Sequence, residues 1–259
     1  MTPTTSDRDH LAPPEPDIPA PAMPGINPQP AEPLRLRLVR SFGSGRGRVT
    51  RAQQRAYQDD FPRYAVPFGA QPIEPGACFG RDAPLILEIG FGMGETTAAI
   101  AGTHPELNFL AAEVFTAGIG SLAMRLTKEG LTNVRIIEHD AVEIVRDMLH
   151  PRSLAGAHIF FPDPWPKARH HKRRLIAPPF IEALAERLQP GGFVHCATDW
   201  QHYAEQMLQV LTQEARLRNV HADFAPTPAN PMCRRPPTKF HSRGERLGHR
   251  VWDLVFERR

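Results

Sequence analysis

The stretch Leu85-Ile-Leu-Glu-Ile-Gly-Phe-Gly-Met-Gly-Glu95 runs an apolar strand into three glycines at alternate positions, with Glu88 just ahead of the turn. Gly90, Gly92 and Gly94 let the backbone turn tightly and approach a ligand without a side chain in the way. Taken alone, such a segment could be no more than a strand-to-helix turn. Its acids say more. A dinucleotide fingerprint wants G-x-G-x-x-G with a pyrophosphate on the following helix N-terminus, but the position of the third glycine is Glu95.

Glu88 and Glu95 together would repel a pyrophosphate. They suit S-adenosylmethionine, which has no phosphate and carries a sulfonium and an amino group. Working outward, Glu113 lies nineteen residues past Gly94, after the apolar run Phe109-Leu-Ala-Ala112. A second strand tip there would offer a carboxylate to ribose hydroxyls. Asp140 follows Val134-Arg-Ile-Ile137 at the tip of a third.

The surrounding pattern predicts strands at 85–89, 108–112, 134–138, 157–161 and 193–197, alternating with helices at 95–102, 116–129, 141–149 and 178–188. Such alternation means βαβ units and a parallel sheet covered on both faces. Near the C-terminus His221–Phe224 and Arg250–Phe256 read as two more strands without a crossover helix between them, hence an antiparallel edge hairpin. The fold class expected is α/β, Rossmann-like, with a mostly parallel central sheet.

At 259 residues the chain suits one good-sized domain with extensions. No apolar run approaches the ~18–20 residues that span a bilayer, and the start lacks the basic and apolar segments of a secretory signal. Cys78, Cys196 and Cys233 form no C-x-x-C pair, which argues against a disulfide framework and a metal site and for a cytoplasmic home. Residues 1–33 hold ten prolines and five acids against one arginine, the composition of a disordered tail. Without them 30 basic residues face 23 acidic ones, a balance suited to nucleic acid. Residues 34–80 form a basic arm or cap, with eight arginines between Leu34 and Arg63, and Thr50 placed to cap a short helix through Arg55 and Tyr57. An ordinary solvated segment fits that composition equally well. Residues 81–259 make the catalytic domain.

The strand at 157–161 ends in Phe161-Pro-Asp-Pro-Trp-Pro-Lys-Ala-Arg-His-His-Lys-Arg-Arg174. Ligands of open α/β sheets bind at the carboxyl ends of strands, so this segment should face the cofactor's methyl group. Pro162, Pro164 and Pro166 are expected to hold the backbone extended and to aim Asp163 and Trp165. Lys167, Arg169, His170, His171, Lys172, Arg173 and Arg174 then form a cationic patch for the phosphates of a polynucleotide. Strand 193–197 delivers Thr198-Asp199-Trp200, where Asp199 could cap the helix through Tyr203, Met207 and Leu211 or recognise a base.

The glycine turn with its acids, Phe161–Lys167 with its basic tail and Thr198-Asp-Trp200, completed as a fourth segment by Thr238-Lys-Phe-His-Ser-Arg-Gly244, resemble the bacterial tRNA (guanine-N7-)-methyltransferase family, over roughly residues 36–259. The resemblance implies methyl transfer from S-adenosylmethionine to N7 of guanine 46 in the tRNA variable loop. It implies cofactor contacts from Glu88, Glu113, Asp140 and Asp163, the last also catalytic. It implies substrate contacts from Lys167, Asp199, Thr238, Lys239, Phe240 and His241, and RNA contacts from residues 169–174. The family usually has Glu where this chain has His241, which cannot accept hydrogen bonds as a carboxylate does. Other readings are a methyltransferase acting on another RNA or on protein, and an RNA-binding module that keeps a cofactor pocket without turnover. A nicotinamide oxidoreductase is disfavoured by Glu95. Monomer and homodimer are both compatible with the sequence.

Overall fold

The computed structural model describes residues 40–43, 48–225 and 250–259. Seven strands, β1 (Leu85–Ile89), β2 (Asn108–Glu113), β3 (Val134–Glu138), β4 (Leu154–Phe160), β5 (Leu188–Thr198), β6 (Leu217–Asn219) and β7 (Trp252–Arg258), form one sheet in the order β3-β2-β1-β4-β5-β7-β6. The first five are parallel, and β7 pairs antiparallel with both β5 and β6. The chain leaves β1 toward β2 on one side and returns to β4 on the other. The crevice at this switch of direction, outside the strands' carboxyl ends, is where open α/β sheets bind ligands.

β1 is buried at every position, as a strand covered on both faces must be. Leu85, Leu87 and Ile89 face one core, completed by α5 (Ala141–Asp147), α6 (Pro178–Arg187) and α7 (Gln201–Gln213) through Val145, Leu184, Met207 and Leu211. Ile86 faces the other, with Phe109 and Ile136 packed against Ile100 of α3 (Glu95–Thr103) and Ile119, Leu122 and Leu126 of α4 (Thr116–Glu129). Each such Leu or Ile contributes roughly 1.5–3 kcal/mol over an exposed one.

The arginine-rich segment is partly docked. Helix α1 (Arg51–Asp59) starts with the expected Thr50 cap, made as a reciprocal box in which Gln53 N–H donates to Thr50 Oγ1 at 3.2 Å and Thr50 N–H to Gln53 Oε1 at 2.9 Å. It lies across α4 at Gly120, where an added Cβ would sit 2.2 Å from the Gln53 carbonyl oxygen. Tyr57 donates to Glu138 at 2.5 Å, and Tyr64–Val66 hydrogen-bond to Ile136 beside β3. Helix α2 (Pro75–Phe79) leads into β1.

Some expected boundaries shift. β4 begins at Leu154 and ends at Phe160 rather than spanning 157–161. β5 begins at Leu188, because Pro190-Gly-Gly192 bulges outward within the strand instead of preceding it, the register slipping between Leu154↔Leu188 and Gly156↔Phe193. Helix α5 stops at Asp147. The strand expected at 221–224 is replaced by β6 at Leu217–Asn219. There the Asn219 side chain accepts from His221 N–H and donates to the Asp223 carbonyl, turning the chain before it can extend. No helix among the described residues is long and apolar enough to cross a membrane.

Candidate active site

The carboxyl ends of β1, β2, β3 and β4 surround a cavity of about 190 Å³ lined by, among others, Gly90, Glu113, Asp140, Phe161 and Asp163. Three of the acids expected at successive strand tips are thus brought to one space. Gly90, Gly92 and Gly94 all adopt left-handed φ, +71°, +56° and +71°. Helix α4 closes on this turn at Gly118, where a Cβ would lie 2.0 Å from the Gly92 carbonyl oxygen. Positive φ strains any residue but glycine along the turn, and at Gly118 no side chain fits.

Glu113 cross-links the site. Its Oε2 accepts from Gly92 N–H at 2.9 Å, and its Oε1 from Val114 and Phe115 N–H at 2.7 and 3.2 Å. Burial pushes its carboxyl up, those three N–H groups pull it back, and nearby Asp163 raises it again. Oε2, with a single donor, keeps capacity for another, such as a ribose hydroxyl. Asp140 caps α5, its Oδ1 accepting from Val142 N–H at 3.0 Å. Glu95 is ion-paired with Arg125 at 2.9 Å.

Glu88 lies beneath the turn, 2 % exposed, and does not line the cavity. Burial pushes its carboxyl up to about 7, with the Thr97 hydroxyl opposing and Glu113 adding to the shift. Its Oε2 is buried without a hydrogen-bond partner. A cationic cofactor bound over the glycine turn would relieve that cost. The acids, the positive-φ glycines and the orphaned carboxylate oxygen fit S-adenosylmethionine, and they do not fit a pyrophosphate.

Asp163 is exposed, and its setting differs from the extended run expected of the prolines. Phe161 and Trp165, each directly before a proline, take φ of +52° and +43°. A following proline disfavours the right-handed helical region, and these two residues adopt the left-handed one, a strain stored on either side of Asp163. Partners hold the kinks in place. Phe161 N–H donates to Ala197 O at 2.7 Å, Arg174 Nε to Pro164 O at 2.8 Å, and Trp165 Nε1 to Ser41 O at 2.9 Å.

Residues 167–174 divide into two groups. Lys167 precedes a 3-10 helix, Ala168–Arg173, on which Arg169 and Lys172 are exposed and His170 and His171 half-buried. Partial burial and the surrounding cations hold the His170 imidazole below its ordinary pKa. Arg174 does not join that surface. It is 3 % exposed, donates to Pro164 O and Gln206, and sits 4.7 Å from the Tyr203 ring centroid. Asp199 is half-buried at the end of β5, and the cap of α7 is Trp200, so Asp199 is not the helix cap. Thr238, Lys239, Phe240 and His241 lie outside the described residues.

Two features escaped the sequence reading. Ser41 and Phe42 of the arm line the cavity, and His139 enters it stacked on Phe68 at 3.6 Å between centroids. Only the position of His139 beside a strand-tip acid could have signalled its presence. No group of metal-ligating side chains occurs among the described residues.

A mostly parallel sheet with a glycine turn after β1 and acids at the tips of β2, β3 and β4 defines a class I methyltransferase that uses S-adenosylmethionine. A solved 16S rRNA methyltransferase shares the fold, with a TM-score of 0.51 and 14 % identity over 70 % of this chain and 93 % of that one. A family model described as "Putative methyltransferase" matches residues 82–254. A tRNA (guanine-N(7)-)-methyltransferase of Bordetella pertussis is 56 % identical over 220 residues, 85 % of each chain, and one of Burkholderia vietnamiensis is 56 % identical over 227 residues, 88 % of each. The chain belongs to the tRNA (guanine-N7-)-methyltransferase family.

Proposed function

We propose that this enzyme methylates N7 of guanine 46 in the tRNA variable loop, with Asp163 as the group that meets the base. The observation that carries the reading is the convergence of Glu113, Asp140 and Asp163 on one cavity, with the basic 3-10 helix following Asp163 directly in sequence.

Glu113, Asp140 and the glycine turn would hold S-adenosylmethionine, with Glu88 acting from below. When bound, that group supplies a methyl carried on a sulfonium. The N7 lone pair of guanine is already nucleophilic and no proton leaves it, so no strong general base is needed and orientation carries most of the rate. Asp163 and Asp199 place the guanine and offset the positive charge that appears on the purine. Lys167 and the segment 238–241 complete the substrate contacts, while Arg169, His170, His171 and Lys172 meet phosphates. Arg173 and Arg174 support that surface from behind. An enzyme acting on tRNA in this way works in the cytoplasm.

The test is incubation with S-adenosylmethionine and tRNA lacking 7-methylguanosine, followed by digestion and mass spectrometry of the nucleosides. We expect 7-methylguanosine mapped to position 46, and its loss in Asp163→Ala. Near-normal turnover by a folded Asp163→Ala protein would remove Asp163 from the mechanism.

A further inference from the structure

We propose that Trp200 is a stacking platform for an unpaired tRNA nucleotide next to the methylated guanine. The proposal rests on the guanine docking at the Asp163 end of the sheet.

Trp200 is 39 % exposed, one of four exposed large apolar side chains among the described residues. Phe68, another of the four, has His139 against its ring, whereas the indole of Trp200 makes no ring or cation contact among the described residues. Its backbone, by contrast, is pinned. Trp200 N–H donates to Thr198 Oγ1 at 3.2 Å, and its carbonyl accepts from Tyr203 and Ala204 N–H at 2.9 and 3.0 Å. Tyr203 and Ala204 are fully buried, so the indole is presented from a rigid first turn of α7. A rigid aromatic loses little entropy on binding.

The surroundings select the ligand. Trp200, Gln201, His202 and Glu205 line an open depression of about 360 Å³. Among the described residues no lysine or arginine lines it, and the Glu205 carboxylate, which accepts from Gln201 Nε2 at 3.0 Å, disfavours a phosphate inside. An uncharged base is favoured. The cations lie to one side, since the His202 ring is 5.0 Å from that of His171, on the basic 3-10 helix. Asp199, a proposed guanine contact, is the preceding residue. A base on an indole with its phosphates running toward a basic strip is how unpaired RNA is held.

Trp200→Ala should raise Kd and KM for a tRNA transcript about tenfold, the scale of losing one stacked base, while kcat and cofactor affinity hold. Trp200→Phe should recover most of the loss, because any aromatic face can stack. Transcripts with an abasic nucleotide at each variable-loop position flanking the guanine complete a double-mutant cycle. At one position the abasic and Trp200→Ala losses should fail to add. Wild-type tRNA affinity in Trp200→Ala, full additivity at every position, or a loss of cofactor binding and Tm that Phe does not rescue would each overturn the proposal. Failure of the guanine-docking reading would show separately, as full turnover by Asp163→Ala.

Discussion

The backbone N–H of Gly43 donates to Oδ2 of Asp163 at 3.0 Å, joining residues 120 positions apart. Two more side chains hold the same stretch of arm. Trp165 Nε1 donates to Ser41 O, and Arg173 donates to Arg40 O and Phe42 O at 3.1 and 2.8 Å while its guanidinium lies 3.6 Å from the Trp165 ring centroid. Residues 40–43 are thereby strapped over the cavity, with Arg173 as the clasp.

Arg173→Ala removes both carbonyl contacts and the stacked guanidinium together. We expect cofactor affinity to fall roughly tenfold, since hydrogen bonds from a charged donor are each worth about 1.5–3 kcal/mol when sheltered and less when exposed, as here. Arg173→Lys should recover only a minor part, because an ammonium lacks the planar fork that spans two carbonyls and an indole. Equilibrium binding of S-adenosylmethionine reads this directly, and unchanged affinity in both variants would show that the strap contributes nothing to the cavity.

Glu88 makes the unliganded protein sensitive to pH. Its folded carboxyl keeps a proton up to about 7, whereas an ordinary one releases it near 4.5. In that window the folded state binds more protons, so stability is lost as pH rises from 4.5 to about 7, by roughly 3 kcal/mol in all, and stays reduced above. Glu88→Gln carries no such charge. Thermal unfolding without cofactor from pH 5 to 8.5 should show its Tm gaining on wild type with rising pH, at the expense of cofactor affinity. Parallel Tm profiles would exclude this role for Glu88.

Two glycine substitutions should separate turn packing from helix termination. Gly118→Ala sets a methyl 2.0 Å from a backbone oxygen of the cofactor turn, which cannot move aside, and should cost about 3 kcal/mol together with most cofactor binding. Gly130→Ala, at the α4 C-cap with φ of +66° and open space around it, should cost about 1 kcal/mol and leave binding intact. Denaturant unfolding and cofactor titration distinguish them, and equal effects on binding would refute the packing argument.

What the sequence disclosed was local. The apolar run 85–89, its glycines, the Thr50 cap and the acids at 113 and 140 follow from periodicity and turn chemistry within a few residues, and each lies where that chemistry predicts. Asp163 follows β4 as expected, but on kinked rather than extended backbone. What escaped depends on distant parts of the chain. Nothing near Gly43 announces Asp163, and a run of arginines does not reveal that Arg174 is buried against Tyr203. The kinks at Phe161 and Trp165 are similar, because proline limits its predecessor without choosing among the regions that remain. The shift of β6 turned on a single side chain, Asn219.

Residues 1–33, with their prolines and acids, carry nothing that the proposed chemistry uses. A chain beginning at Leu34 should keep kcat/KM for tRNA within about twofold of the full chain, as expected for a segment too polar to build part of the site. A larger loss in a methylation assay would assign that segment a part in turnover.

The position of β7 inside the sheet bears on how the protein is made. β5, which carries Thr198 and Asp199 at its tip, has β7 as its outer neighbour, and β7 runs to Arg258. During synthesis the outer edge of β5 stays open until β7 has cleared the ribosome. Until then it is a free edge able to pair with other chains. Synthesis of β7, rather than of the cofactor turn, is therefore the step that completes the end of the sheet carrying Asp199.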